Sequence, residues 1–226
     1  MDQNEAKRLA ARAALELLPA EGVIGLGSGS TAKLFIDAVG ERVRSGARLV
    51  GVATSEASRS QAKQLGIPLL DDEGPWTIDV CVDGADEVSA ALDLIKGGGG
   101  CQTREKIVNQ AARLNVIIVD DTKLSAWLGE RWPVPIEVLA FAHRATALAL
   151  EQFGRVEQRQ KQNAPWRTDS GNFIYDVHSG PIRDPRSLDA ALHAVPGVVE
   201  TGLFCGRAQR VIVAGPDGIR ELQPPA

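Results

Sequence analysis

The stretch Gly22-Val23-Ile24-Gly25-Leu26-Gly27-Ser28-Gly29-Ser30-Thr31-Ala32 sets the fold class. Val23 to Leu26 is a short apolar run, the pattern of a strand buried on both faces. A turn of glycine and serine follows, and residues 31–44 place apolar groups at helical spacing. The alternation continues on both sides. Residues 3–18 predict a helix. Leu49–Ala53 reads as a second strand, followed by a helix that Ser55 caps, that reaches Leu65 and that Gly66 stops. Ile67–Leu70 reads as a short third strand, and Ile78–Val82 as a fourth that ends at Asp83. A helix over 102–113 leads into a fifth, Asn115–Val119. Short apolar runs separated by helices predict parallel strands covered on both faces. The expected architecture is a doubly wound α/β sheet, whose ligands sit beyond the carboxyl ends of the strands.

The texture changes near Trp132-Pro133-Val134-Pro135. From there to about 200 the pattern reads strand, helix, strand, strand, helix, strand, with helices over 142–153 and 185–194. Gly154 stops the first, and Asp184-Pro185 starts the second. The polar segment Gln160–Gly171 reads as a loop. Two helices on one small sheet predict an α+β domain of ferredoxin-like type. Arg210–Ala214 reads as a strand that returns to the first sheet, which makes the small domain an insertion. The expected domains are 1–130 plus 204–226 and an inserted 131–203.

Composition narrows the function. The chain has 226 residues, enough to bury a core without disulfide or metal staples. Its apolar and charged fractions, 44% and 24%, are those of an ordinary globular protein. With 29 acidic and 25 basic residues it has no basic surplus, and its ten aromatics (four Trp, one Tyr, five Phe) offer few stacking platforms. Nucleic acid is not an expected partner. No run approaches the ~18 apolar residues of a membrane span, so a membrane is not expected either. The first residues lack the apolar core of a signal peptide. Cys81, Cys101 and Cys205, odd in number and without CxxC spacing, read as free thiols in a reducing cytoplasm. His143, His178 and His193 are scattered without ligand spacing and read as ordinary packing or surface histidines. The 23 glycines stand out: backbone must come close to something.

The first glycine cluster is the strand-to-helix turn at 25–32. Its glycines allow a tight turn, the next helix offers unpaired N–H groups, and Ser28, Ser30 and Thr31 add hydroxyls. Three readings stand at this stage: a phosphate monoester cradle, a loose G-x-G-x-x-A dinucleotide fingerprint without a well-placed acid downstream, or a plain turn with a serine cap. The second constellation is Asp83-Gly84-Ala85-Asp86-Glu87, then Lys96-Gly97-Gly98-Gly99-Gly100, then Thr103-Arg104-Glu105-Lys106. Small residues between the acids let Asp83 and Asp86 converge on one ligand; a capped, solvated acidic turn is the plainer reading. Four consecutive glycines are costly to order and pack nothing, so a run of them is best explained by a wrapped ligand, with Lys96 supplying charge. Glu105 sits in the first turn of its helix, where the dipole favours its ionised form and burial opposes it; simple capping is the alternative. Asp83, Asp86, Glu87 and Glu105 also have the chemistry of a magnesium site, but Lys96 already neutralises such a cluster. No metal is expected. No G-x-S-x-G elbow is present.

In these strings the chain resembles the type A ribose-5-phosphate isomerase family. GLGSGSTA, DGADE, IKGGGG, TREK, TDSGN, DVH, PGVVETGLF and PDG occur in the family's order over nearly the whole chain. The resemblance implies a Rossmann-like domain with a small α+β domain, a homodimer, a sugar phosphate as substrate and no metal or nucleotide cofactor. It implies a substrate-binding role for Ser28, Gly29, Ser30 and Thr31, for Asp83, Gly84, Ala85 and Asp86, for Lys96, Gly97, Gly98 and Gly99, and for Lys123. It makes Glu105 the proton-transfer base and places Lys7 where a first-helix lysine reaches the phosphate. Ser28 stands where relatives often have Thr, and 160–167 departs from the family pattern. Two other readings are a sugar-phosphate-sensing domain of a transcription regulator and a dinucleotide-dependent oxidoreductase. Against the sensor, the first helix leads straight into the first strand without a helix-turn-helix, and Lys96 and Glu105 have no task in it.

Overall fold

Five parallel strands and one antiparallel edge strand build the larger sheet of the computed structural model, which describes residues 1–224. The order across it is Arg48–Ala53, Glu21–Leu26, Ile78–Asp83, Ala112–Asp120, Arg210–Gly215 and Gly218–Leu222. The first five pair in parallel, and Gly218–Leu222 returns as a hairpin. From Glu21–Leu26 the chain steps outward to Arg48–Ala53, then crosses back to Ile78–Asp83 on the other side. The switch point therefore lies between the ends of Glu21–Leu26 and Ile78–Asp83, where such sheets open a crevice.

Helices cover both faces. Gln3–Leu15 buries Ala6, Ala10, Ala11 and Ala14, small side chains that let it lie close to Ile118 and Ile212. Ser30–Arg44 adds Phe35, Ile36 and Val39 to that core, and Glu56–Gln64 adds Ala62. On the opposite face Val108 of helix Gln102–Gln110 packs with Val52, Ile78 and Cys81. Ser55 caps its helix as expected, accepting the Ser58 N–H at 3.1 Å. The expected third strand at Ile67–Leu70 is a correction. It makes a single bridge, Gly51 to Leu69, because Pro68 has no N–H with which to extend a ladder.

The second sheet has the order Val198–Thr201, Val134–Val138, Phe173–His178 and Arg155–Gln158, all antiparallel. Helices His143–Leu150 and Pro185–His193 complete a βαββαβ unit of ferredoxin-like order. Its core holds Val134, Ile136, Val138, Tyr175, Leu150 and Leu192. Part of the expected 160–171 loop is a small hairpin, Gln160–Lys161 with Ala164–Pro165, turned by Gln162 and Asn163 in left-handed backbone. A further three-stranded sheet, Leu203–Phe204, Leu94–Ile95 and Glu87–Val88, was not legible from the sequence, since two-residue strands carry no period.

By internal contacts one unit comprises 1–85, 104–123 and 207–226, and the other 86–103 and 124–206. Residues 225 and 226, within the expected 204–226 segment, lie outside the described residues. These borders differ from the expected ones chiefly at 86–103. That segment follows the second unit because Leu94–Ile95 pairs with Leu203–Phe204 and Ile95 joins the second core.

In the second unit His143 Nδ1 bonds the Tyr175 hydroxyl at 2.6 Å. Burial, aided by Arg144 and Arg167, holds its imidazole below the usual 6.5, and burial raises the Tyr175 phenol. The unfolded chain then binds more protons than the folded one below that value. This contribution to stability is complete above pH 6.5 and is lost as the pH falls through and below it. An NMR titration of His143 is expected to show a midpoint below that of a free imidazole; a midpoint at or above it would contradict the assignment.

Candidate active site

On the first unit, three of the expected segments follow neighbouring parallel strands and so gather along the carboxyl edge of the sheet. The Ser28–Thr31 turn follows Glu21–Leu26, Asp83-Gly84-Ala85 closes Ile78–Asp83, and Lys123 ends a 3-10 turn after Ala112–Asp120. The first two flank the switch point. Gly27 N–H donates to Val82 O at 3.0 Å, and Ser28 N–H to Asp83 Oδ1 at 2.9 Å. Asp83 Oδ1 also accepts the Gly84 N–H at 2.7 Å, so one buried carboxylate oxygen joins both loops. Gly27 is required here: a Cβ would lie 2.2 Å from Asp83 Oδ1 and 2.6 Å from its Cα.

The Ser28–Thr31 turn is not a serine-capped one. The N-cap is Gly29, at φ 92° and without a side-chain cap, so the first N–H groups of helix Ser30–Arg44 have no side-chain acceptor there. The turn is held from behind instead. Ser28 Oγ bonds Thr54 Oγ1 at 2.7 Å, Thr54 Oγ1 donates to Leu26 O, and Ser58 Oγ donates to Gly27 O at 2.7 Å. Gly29 and Ser30 are exposed, Ser28 is half-buried and Thr31 is buried. Uncapped N–H groups, the positive end of a helix dipole and hydroxyls suit an anionic group. Gly29, Ser30 and Lys33 line a cleft of about 460 Å³ with Ser58 and Gln61.

Glu105 is buried, 5% exposed, in the first turn of helix Gln102–Gln110. Arg104 beside it donates to Glu56 Oε1 at 2.8 Å, and Glu56 begins the helix that leaves the carboxyl end of Arg48–Ala53. The first turn bearing Glu105 is thereby tied to the same edge. That bond, with the charges of Arg104, Arg59 and Lys63, holds the Glu56 carboxyl below its usual range. Lys7 is half-buried on the first helix, whose Gln3 reaches Asp120 at 3.3 Å.

On the second unit, Glu87–Val88 and Leu94–Ile95 form a hairpin with Glu87 opposite Ile95. Asp86 and Lys96 both stand at its open end, which explains the ten-residue interval between DGADE and KGGGG. Asp86 Oδ2 accepts the Gly98 N–H at 2.7 Å, and a Cβ on Gly98 would lie 2.6 Å from Asp86 Oδ1. Lys96 is 4% exposed, with its ammonium 5.4 Å from the Phe204 ring centre. The Gly97 turn has φ 101°, open to glycine and strained for other residues. The acids of DGADE therefore take separate tasks. Glu87 turns inward and accepts the N–H groups of Gly129 and Arg131 at 2.8 and 3.1 Å.

Several residues escaped the sequence reading. Thr54 and Ser58 support the first turn. Buried Glu137 accepts from Thr168 Oγ1 and Asn172 Nδ2, both at 2.9 Å, and from the hydroxyl of Thr103, which gives the TDSGN string a structural task. A lone acid in the apolar run Val134–Val138 was the available signal. Arg159 donates to the carbonyls of Gly97 and Gly98 and had no signal at all, since it lies in a polar stretch between Arg155–Gln158 and Gln160–Lys161.

An uncapped helix N-terminus at the switch point of a doubly wound sheet is a site suited to a small anionic ligand such as a phosphate monoester. Residues 50–218 match the family model of ribose 5-phosphate isomerase A (phosphoriboisomerase A). The chain is 47% identical over 233 residues to ribose-5-phosphate isomerase A of Rhodopseudomonas palustris strain BisB18, covering all of both chains. A solved D-ribose-5-phosphate isomerase in complex with phospho-erythronic acid is similar at a TM-score of 0.95 and 39% identity, over 99% of this chain and 100% of that one. The ribose 5-phosphate isomerase A structure from Methanocaldococcus jannaschii is similar at 0.92 and 40%, over 97% and 98%. The chain belongs to the ribose 5-phosphate isomerase A family.

Gly27→Ala is expected to strain the Asp83 junction by about 2 kcal/mol and lower the melting temperature by about 5 °C. Thermal denaturation followed by circular dichroism checks it, and an unchanged midpoint would contradict the close approach.

Proposed function

We propose that the protein interconverts D-ribose 5-phosphate and D-ribulose 5-phosphate, as an aldose–ketose isomerase of the non-oxidative pentose phosphate pathway. The observation that carries this is the 47% identity, over the whole chain, to a protein named for that reaction. The placement of GLGSGSTA at a sheet switch point supports it independently.

The first unit supplies the anion-receptive turn Ser28–Thr31, with Lys123 and Lys7 as further cations for the phosphate. Asp83, assisted by Asp86 or a water, takes the hydroxyl proton as the furanose opens. Glu105 then removes the proton on C2 and returns it to C1. Charge builds on the carbonyl oxygen of a cis-enediolate, and two features of the second unit suit it: the Lys96 ammonium and the N–H groups of the Gly97–Gly99 turn. A preorganised donor of this kind is typically worth ~3 kcal/mol, about 100-fold in rate. Glycines suit this turn because side chains would block backbone approach.

A homodimer is the assembly we propose. The resemblance implies it, and Leu139, Phe141 and Leu148 leave large apolar surface exposed close together in sequence. The three free cysteines support a cytoplasmic setting. No helix among the described residues is long and apolar enough to cross a membrane.

Ribose 5-phosphate is expected to turn over to ribulose 5-phosphate without added NAD(P), and to do so fully after exhaustive chelation. Absence of turnover would remove the functional reading, and strict dependence on magnesium would give the acids a metal to hold. Glu105→Gln is expected to abolish exchange of the C2 proton with solvent while sugar-phosphate binding stays within a few-fold, since only the base is lost. Exchange at the wild-type rate in that variant would exclude Glu105 as the base.

A further inference from the structure

The glycine turn after Lys96 is gripped on one side by a guanidinium. Arg159 Nη1 donates to the carbonyl oxygens of Gly97 at 2.6 Å and Gly98 at 3.1 Å. The rest of that guanidinium is locked in place. Nε donates to Asp176 Oδ2 at 2.9 Å, Nη2 bonds Asp176 Oδ1, and the Trp166 ring centre lies 5.8 Å from the guanidinium carbon. The Arg159 and Asp176 side chains are only 12% and 15% exposed. A planar fork paired in this way with a carboxylate has little freedom to rotate.

A trans peptide points its C=O and N–H in opposite directions. Drawing the Gly97 and Gly98 carbonyls to Arg159 therefore turns the N–H groups of Gly98 and Gly99 to the far side of the turn. The Gly98 N–H is found there, on Asp86 Oδ2 at 2.7 Å. We propose that Arg159 is a positioning residue for the isomerisation. Without touching the sugar, it aims the Gly99 N–H at the developing enediolate and, through the Gly98 N–H, fixes the Asp86 carboxylate. This rests on the reading that the turn receives a sugar phosphate. An arginine that merely stiffened the small sheet would affect stability alone.

Arg159→Lys keeps the charge but replaces the fork by a single head. For ribose 5-phosphate, kcat is expected to fall about 30-fold, less than the ~100-fold of a deleted oxyanion donor, because the Gly99 N–H is misaimed and not removed. KM is expected to stay within about 3-fold, the mark of an interaction made mainly in the transition state. Inhibition by phospho-erythronic acid, an anion whose carboxylate resembles the enediolate in charge, is expected to weaken in step with kcat/KM. Arg159→Gln, a planar donor without charge, is expected to behave alike and serves if the lysine variant does not fold; circular dichroism and melting establish folding for both. Wild-type kcat in a folded variant, or a loss that tracks only the folded fraction, overturns the proposal while leaving the functional reading intact. A wild-type protein that does not isomerise the sugar overturns both.

Discussion

A single carboxylate oxygen, Asp83 Oδ1, joins the end of its own strand to the Ser28 turn, 55 residues away in the chain. It accepts the N–H of Ser28 on one side and of Gly84 on the other. Parallel strands 1 and 3 in chain order of the main sheet diverge at this switch point, so the backbone there has no continuing ladder to satisfy its N–H groups. A buried donor without a partner costs on the order of 1–3 kcal/mol, and a charged acceptor offsets more than a neutral one. The contact also dictates its surroundings. Gly27 has no room for a side chain, Ser28 is held by its backbone so that its hydroxyl turns to Thr54, and Gly29 takes the N-cap without a competing side chain. The anion-receptive helix start is a consequence of that junction.

The second unit repeats the device on its own terms. Asp86 Oδ2 accepts the N–H of Gly98 and excludes a side chain there, as Asp83 does at Gly27. A glycine run alone would be the least ordered part of a chain. Here it is clamped from two sides, by a carboxylate on the Gly98 N–H and by a guanidinium on the Gly97 and Gly98 carbonyls. Glu137 performs a related task deeper in the unit, drawing Thr103, Thr168 and Asn172 to one buried carboxylate. Such networks hold their geometry because every member loses a partner if one moves.

Much of this was legible in the residues. Short apolar runs with helical stretches between them gave the parallel sheet, since burial on both faces demands continuous apolar strands. The return of Arg210–Gly215 to that sheet and the βαββαβ order of the second unit followed from the same patterning. Ile67–Leu70 misled because apolar content says nothing about a missing N–H at Pro68. Glu87 looked like one of three clustered acids, yet its carboxylate serves the backbone at Gly129 and Arg131. Adjacency in sequence does not set the direction of a side chain when the chain turns into a hairpin.

By itself the sequence determined the long strands and helices of the two main sheets, and it marked the glycine turns, Asp83, Asp86, Lys96 and Glu105 as chemically unusual. These are local properties, carried by residue type and spacing. Tertiary structure alone decided that the strand order reverses between Glu21–Leu26 and Ile78–Asp83, and that a hairpin brings Asp86 and Lys96 to one end. It alone recruited Arg159, 62 residues from Gly97, to orient the glycine turn. Such pairings depend on directional hydrogen bonds between distant parts of the chain, and no one-dimensional period records them.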